Sequence, residues 1–301
     1  MNPYLRALRL ERWPRSTAIF AGSAALLFLQ RDLFRGFGVL DIFGRLGGSF
    51  LLTWFISTAN YIINEIADAP FDVHHPTKKN RPLAKGEIGR GPLVAIGVCL
   101  AGSSLAAGKL LYSGPFFLSL LALLVAGFIY NLKPIRAKDV PFLDAISESM
   151  NNPIRFLVGW YAFSPGAFPP WSLLVCWWAF GNFLMVAKRL SEFRFLKERA
   201  AEYRASHKKY SKTSLLFGMA ASAFVFFATY ISFAVIFKLQ LFLYFSPFLV
   251  FYFFLFFWKT LAEKEVMEEP EKLLGRTRFA VYTAFLFLLY AAAFFLDKIG
   301  Q

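Results

Sequence analysis

The sequence predicts an all-α fold, a polytopic membrane bundle of nine transmembrane helices built from residues 1–301 as one integral-membrane domain. Three observations predict it. Of the 301 residues 57% are hydrophobic and 19% aromatic, with 38 phenylalanines against 19 acidic residues, more apolar surface than a water-soluble domain of this length needs. Apolar runs of about 18 or more residues recur, each long enough to cross a hydrocarbon core as a helix. The connections alternate between long charged ones and short bare ones, as loops on the two sides of a membrane do.

A reading window of about 19 residues gives spans at 16–30, 46–64, 91–108, 112–131, 141–162, 169–187, 213–235, 240–258 and 277–296. Helices are expected for all nine, because a segment in lipid must satisfy its own backbone and these runs lack the alternation of barrel strands. The first fifteen residues, MNPYLRALRLERWPR, have the basic head of a signal peptide. With eight further spans downstream they are expected to form an uncleaved amphipathic segment at the interface. Residues 31–45, RDLFRGFGVLDIFGR, are expected to lie along the outer interface. Of the 33 Lys and Arg, 26 fall on the side of the N-terminus and of the loops after even-numbered spans, against six on the other side. The positive-inside rule then puts the N-terminus in the cytoplasm and the C-terminus outside, in a multi-pass protein of the cell membrane. The net charge of +14 is thereby a topology signal and not a sign of nucleic acid. Cys99 and Cys176 lie inside apolar runs, which excludes a disulfide framework or a Cys/His zinc site. His74, His75 and His207 are too few, and expected to be too exposed, for a metal site.

Polar residues concentrate where even-numbered spans leave the membrane on the basic side, so several helix ends are expected to face one cytoplasmic pocket. In NYIINEIADAPFDVHHPTKKNRPLAKG, Asn60, Asn64, Asp68 and Asp72 are each four apart and form one helical stripe drifting by about 40° per step. Oxygen ligands on one face suit a Mg²⁺ that carries a diphosphate, and Lys78, Lys79, Arg81 and Lys85 follow as cations for phosphate. Pro70 is expected to break the helix between the two aspartates. In YNLKPIRAKDVPFLDAISESMNNPIR, Pro141 opens a helix on which Asp144 and Glu148 lie one turn apart. This pair suits a second Mg²⁺ or the hydroxyls of a substrate. Asn151, Asn152 and Arg155 follow, with Arg155 about 20 Å down the helix at membrane depth, where an ionisable group marks function. Pro153 should loosen the helix there. Lys188, Arg189 and Glu192 close the sixth span, either as a snorkelling cap with an i,i+4 pair or as phosphate ligands. The Phe-rich last three spans are expected to face lipid.

These residues resemble the UbiA superfamily of intramembrane prenyltransferases, whose members are nine-helix bundles with two aspartate-rich motifs around Mg²⁺ and a diphosphate. Asn64, Asp68 and Asp72, followed by Arg81, Pro82 and Gly86, match the first motif. Asp144 and Glu148 match the second less closely, and Glu65 stands where Asp is usual. Within the superfamily the chain is most similar to the decaprenyl-phosphate phosphoribosyltransferase branch. The similarity rests on His75-Pro76-Thr77-Lys78-Lys79 leading to Arg81-Pro82, on Ala179-Phe180-Gly181 running to Lys188, Arg189 and Glu192, on Glu269-Pro270-Glu271, and on Arg9 to Trp13. Asn151-Asn152-Pro153-Ile154-Arg155 with Gly159-Trp160 departs from that branch, keeping its Arg and Gly.

The resemblance implies Mg²⁺-dependent transfer of a 5-phosphoribosyl group from water-soluble phosphoribosyl diphosphate to a polyprenyl phosphate. It puts the metal on Asp68 and Asp72 with Asn64 and Asp144, the phosphates on Lys79, Arg81, Lys133, Arg136, Lys138, Lys188 and Arg189, and the ribose on Glu148, Asn151 and Asn152. Arg155 joins them as a substrate contact. The alternative is prenyl transfer from a polyprenyl diphosphate to an aromatic acceptor, its cation resting on a ring such as Trp160 or Tyr161. A nonenzymatic lipid scaffold or transporter is a third reading.

Overall fold

The computed structural model describes residues 2–73, 78–196, 205–262 and 277–299. His74 to Thr77 and Glu269 to Glu271, which carry part of the resemblance, lie outside the described residues. The described chain is helical and divides into two compact units, Met1–Lys138 with Met150–Pro169, and Asp139–Ser149 with Pro170–Gln301.

The first unit starts with α1 (Pro3–Leu8), opened by Pro3 and capped by the Asn2 side chain, which accepts from Tyr4 N at 2.9 Å. A 3-10 stretch, Leu10–Ala18, leads into α2 (Ile19–Leu29). Then come α3 (Val39–Asp72), α4 (Arg90–Leu111), α5 (Gly114–Asn131) and, after the excursion through the second unit, α7 (Asn151–Tyr161). In the second unit α6 (Leu143–Ser149) and α8 (Trp171–Leu196) are followed by α9 (Lys212–Ile236), α10 (Gln240–Tyr244), α11 (Ser246–Ala262) and α12 (Thr277–Ile299).

Among the described residues six helices are long and apolar enough to cross a membrane. Every expected span is helical, but three are modified. The first is α2 of 11 residues behind its 3-10 entry. The fifth breaks into α6 and α7, and the eighth into α10 and α11. Proline accounts for both breaks: Pro153 and Pro247 each sit in the first turn of the second piece, where a missing N–H costs nothing because those donors lack a helical partner anyway. One local expectation is corrected. Residues 39–45, expected along the outer interface, form the first turns of the continuous α3, but Pro70 does not break α3, which runs on to Asp72. So close to the helix end, the proline forfeits one bond of the ladder without forcing an early stop.

Lipid tails are as apolar as leucine, so close packing and polar contacts between helices hold such a bundle. In the first unit α2 and α7 meet backbone to backbone. A Cβ on Gly22 would strike the carbonyl of Phe156, and one on Gly159 the carbonyl of Ile19, while Ser23 Oγ donates to Gly159 O at 2.8 Å. Asn60 Nδ2 donates to Leu123 O at 2.8 Å, and Gly127 leaves the room that its side chain fills. Asn60 therefore joins α3 to α5 instead of serving the polar stripe. In the second unit Phe183, Val186, Leu190, Met219, Phe253 and Phe256 form a buried core, with ring pairs such as Phe226 and Phe253 at 4.6 Å. Part of the Phe-rich sequence expected to face lipid is thus interior.

Candidate active site

The first acidic motif lies on the last turns of α3, in the first unit. Asp68 is 17% exposed and takes Lys138 Nζ at 2.5 Å and Arg136 at 3.2 Å on one oxygen. Asn64 Nδ2 donates to its other oxygen at 3.1 Å and to Asn131 Oδ1 at 2.7 Å. Lys138 also reaches Asn131 Oδ1, at 3.1 Å. Arg136 is held in the left-handed region at φ 36°, a strained state for a non-glycine residue, with its guanidinium 4.9 Å from the ring centre of Phe71. The loop thus fixes two cations on the first-motif aspartate.

Asp72 and Glu65 are buried. Arg81 NH1 binds Asp72 at 2.5 Å and its Nε lies 4.0 Å from Glu65, which takes Arg9 NH2 at 2.8 Å. Burial, and then the charge of Arg81, lower the pKa of Arg9 from its ordinary value, while Glu65 opposes the shift. Lys79 and Lys133 are exposed, and Asn151 and Asn152 are half-buried at the start of α7. Arg155 is 9% exposed and its NH2 meets Ser57 Oγ at 3.4 Å. The expected interior position holds, with a hydroxyl as its partner where a carboxylate or backbone acceptor was expected.

The second acidic motif lies in the second unit and has a different character. Arg189, with no exposed surface, points Nε at Asp144 (2.7 Å), NH2 at Glu148 (3.0 Å) and NH1 at Glu192 (3.0 Å). Asp144 also accepts from Tyr210 at 2.5 Å, Ser206 at 3.1 Å and the Ala145 amide at 2.8 Å. Burial, and then Asp144, push the Tyr210 phenol up from its usual range. His207 is buried, with Nε2 3.0 Å from Glu192, so the exposure expected of it is corrected. Asp144 and Arg189 have no exposed surface in this ion-pair cluster, so the metal and phosphate roles expected of them would require its contacts to exchange for those of a ligand. Glu148, 22% exposed, and the half-buried Lys188 remain reachable.

No group of three His, Cys, Asp or Glu arranged for a metal occurs among the described residues. Mg²⁺ needs only one or two carboxylates when phosphate and water supply the remaining oxygens. Asn64, Asp68 and Asp72 are hard oxygen donors one turn apart, and that donor set fits the ion. Sequence reasoning missed Arg9, Asn131, Ser206 and Tyr210 as members of these clusters. Arg9 had a signal, the three-residue spacing of arginines in the N-terminal segment. The others carry none, because single Asn, Ser and Tyr residues gain their partners only on folding.

Residues 24–289 match the UbiA prenyltransferase family. Decaprenyl-phosphate phosphoribosyltransferase of Corynebacterium glutamicum is 27% identical over 231 residues, 73% of this chain and 64% of that relative. The chain therefore spans somewhat less than two thirds of that protein's length. The Mycobacterium tuberculosis protein of the same name is 26% identical over 73% of this chain and 69% of its own. Among solved structures, a UbiA homologue from Archaeoglobus fulgidus bound to GPP and Mg²⁺ superposes with a TM-score of 0.66 at 20% identity, covering 97% of this chain and 99% of that one. A digeranylgeranylglyceryl phosphate synthase structure gives 0.65 at 16% identity over 99% and 98%. With the first motif, the apolar helices and this match over most of its length, the chain is a multi-pass membrane protein that belongs to the UbiA prenyltransferase family.

Proposed function

We propose that this protein transfers a 5-phosphoribosyl group from phosphoribosyl diphosphate to a polyprenyl phosphate at a cytoplasmic site. The observation that carries the reading is Asp68 with Lys138 and Arg136 on it, a carboxylate and two cations placed for a metal-bound diphosphate. The relatives named decaprenyl-phosphate phosphoribosyltransferase support the choice of group. Asp68 and Asp72, with Asn64, would hold Mg²⁺, which supplies neutralisation of the diphosphate as it leaves C1 of the ribose. Lys138 and Arg136 exchange their carboxylate for phosphate oxygens, a charge-assisted contact of similar strength, and so meet the charge that builds on the leaving group. Arg81 holds Asp72, and Glu65 holds Arg81 and Arg9. The C1–O bond to diphosphate breaks as an oxygen of the lipid phosphate bonds to C1. The resemblance adds Lys79 and Lys188 for the phosphates, and Glu148 and Asn152 for the ribose hydroxyls.

Prenyl transfer to a small acceptor is the second reading, favoured by the homologous structures bound to GPP and DMAPP with Mg²⁺. Purified protein decides between them. Release of diphosphate from phosphoribosyl diphosphate only when Mg²⁺ and a polyprenyl phosphate are both present supports the first. Consumption of a polyprenyl diphosphate with an aromatic acceptor, and indifference to phosphoribosyl diphosphate, supports the second.

A further inference from the structure

The N-terminal segment has an arginine at every third position, Arg6, Arg9, Arg12 and Arg15. Over Leu10–Ala18 the backbone is a 3-10 helix, in which residues three apart eclipse one another. Arg12 and Arg15 therefore fall along one line within it, while Arg6 lies in α1 and Arg9 at the left-handed cap between the two helices. Arg6 pairs with Glu87 and Arg9 with Glu65, while Arg12 lies 5.9 Å from the ring centre of Tyr61. One turn further along α3 is Ser57, whose hydroxyl is the neighbour of Arg155.

Arg155 closes this line from α7. Its NH2 has the neutral Ser57 hydroxyl at 3.4 Å, its buried Nε has no hydrogen-bond partner, and no carboxylate forms an ion pair with it among the described residues. The ionisable side chains that act on it electrostatically are Tyr61 and Arg15. A buried cation with so little compensation is costly, and in a membrane protein it marks a ligand path. Ser57, Tyr61, Asn64 and Asp68 follow one another at four, three and four residues, one face of α3. The uncompensated cation thus lies about 16 Å along that face from the first-motif aspartate.

We propose that Arg155, with Ser57, Tyr61, Arg12 and Arg15, binds a phosphate monoester, as a second anion site apart from the diphosphate site at Asp68. The ligand's identity rests on the phosphoribosyl reading above, in which both substrates carry such a group: the 5-phosphate of the donor and the phosphate of the lipid. An allylic chain has no anion to offer there.

The test titrates the full chain in detergent with phosphoribosyl diphosphate, ribose 5-phosphate, farnesyl phosphate and inorganic diphosphate, each with Mg²⁺, for wild type and for Arg155→Met and Arg15→Gln. Affinity for a monoester should fall about tenfold or more in Arg155→Met, the loss of one charge-assisted contact, and by a smaller factor in Arg15→Gln. Affinity for inorganic diphosphate should stay within about twofold. A loss confined to the two ribose phosphates assigns the site to the donor, and one confined to farnesyl phosphate assigns it to the lipid. Unchanged affinity for both in both variants overturns the site while leaving the phosphoribosyl reading intact. A wild type that binds neither monoester overturns both. Thermal unfolding separates a structural role: removing an uncompensated charge should leave Arg155→Met as stable as wild type, and Arg15→Gln covers the case in which Arg155→Met does not fold.

Discussion

Arg189 and Asp144 form an ion pair with no solvent exposure on either side chain, Nε to Oδ2 at 2.7 Å. The same guanidinium reaches Glu148 and Glu192 at 3.0 Å each. One cation thereby holds three carboxylates on α6 and α8.

Arg189→Met is expected to destabilise the protein by about 3–5 kcal/mol, because removing one member of a buried ionic cluster strands the rest. Arg189→Lys should recover only part of that, since an ammonium has no planar fork to offer three acceptors. Denaturant unfolding in detergent measures both. Wild-type stability in Arg189→Met would mean that the carboxylates find other partners.

Tyr210 tests the same cluster from its neutral side. Its hydroxyl donates to Asp144 and accepts the Phe142 amide at 2.7 Å, so Tyr210→Phe should cost about 1–3 kcal/mol at neutral pH. The folded phenol has a raised pKa, owing to burial and then to Asp144. Its contribution is therefore full below the unfolded value of about 10 and is lost as pH rises beyond it. The gap between wild type and variant should narrow in alkali. A gap that widens with pH contradicts this.

The helices were legible because lipid imposes a pattern that sequence records directly: a span must be long, apolar and self-satisfied. The first motif was legible for a similar reason, since Asn64, Asp68 and Asp72 at four-residue spacing share a face before any folding occurs. Partnership was not. Nothing in the sequence says that Arg189 would be enclosed by carboxylates from two helices while Lys138 and Arg136 meet Asp68 from 70 and 68 residues away. Nor did amphipathicity reveal that the N-terminal segment lies against Glu65 and Tyr61, because arginine spaced by three fits an interfacial helix as well as a 3-10 line.

Gly22 and Gly159 should not tolerate a side chain. Each added Cβ meets a backbone carbonyl of the facing helix, which cannot rotate away as a side chain would. Gly159→Ala and Gly22→Ala are each expected to cost about 1–3 kcal/mol by overpacking, read as a lower midpoint of thermal unfolding. Gly36→Ala, with nothing near its Cβ, is the control and should be near neutral.

The orientation expected from charge can be tested directly. With 26 basic residues on one side and six on the other, tags at the N-terminus should be reachable only from the cytoplasm and tags at the C-terminus only from outside. A C-terminus reachable from the cytoplasm would mean an even number of crossings. The shortened α2 would then be the first helix to re-examine.

Asp68 offers the sharpest test of the metal site. Its carboxylate already carries Lys138 and Arg136, so two effects of its removal can be separated. Asp68→Asn keeps an acceptor oxygen for both cations but removes the charge that a Mg²⁺ ligand needs. It should therefore lose less stability than Asp68→Ala, its cost being the contact with the Asn64 amide, judged by its unfolding midpoint, while turnover falls by about 100-fold or more. Asp68→Ala removes both functions and should show the same loss of turnover, with some loss of stability from two cations left without their carboxylate. If Asp68→Asn retains near wild-type turnover and the same Mg²⁺ dependence, Asp68 serves to hold Lys138 and Arg136, and the ion is carried elsewhere.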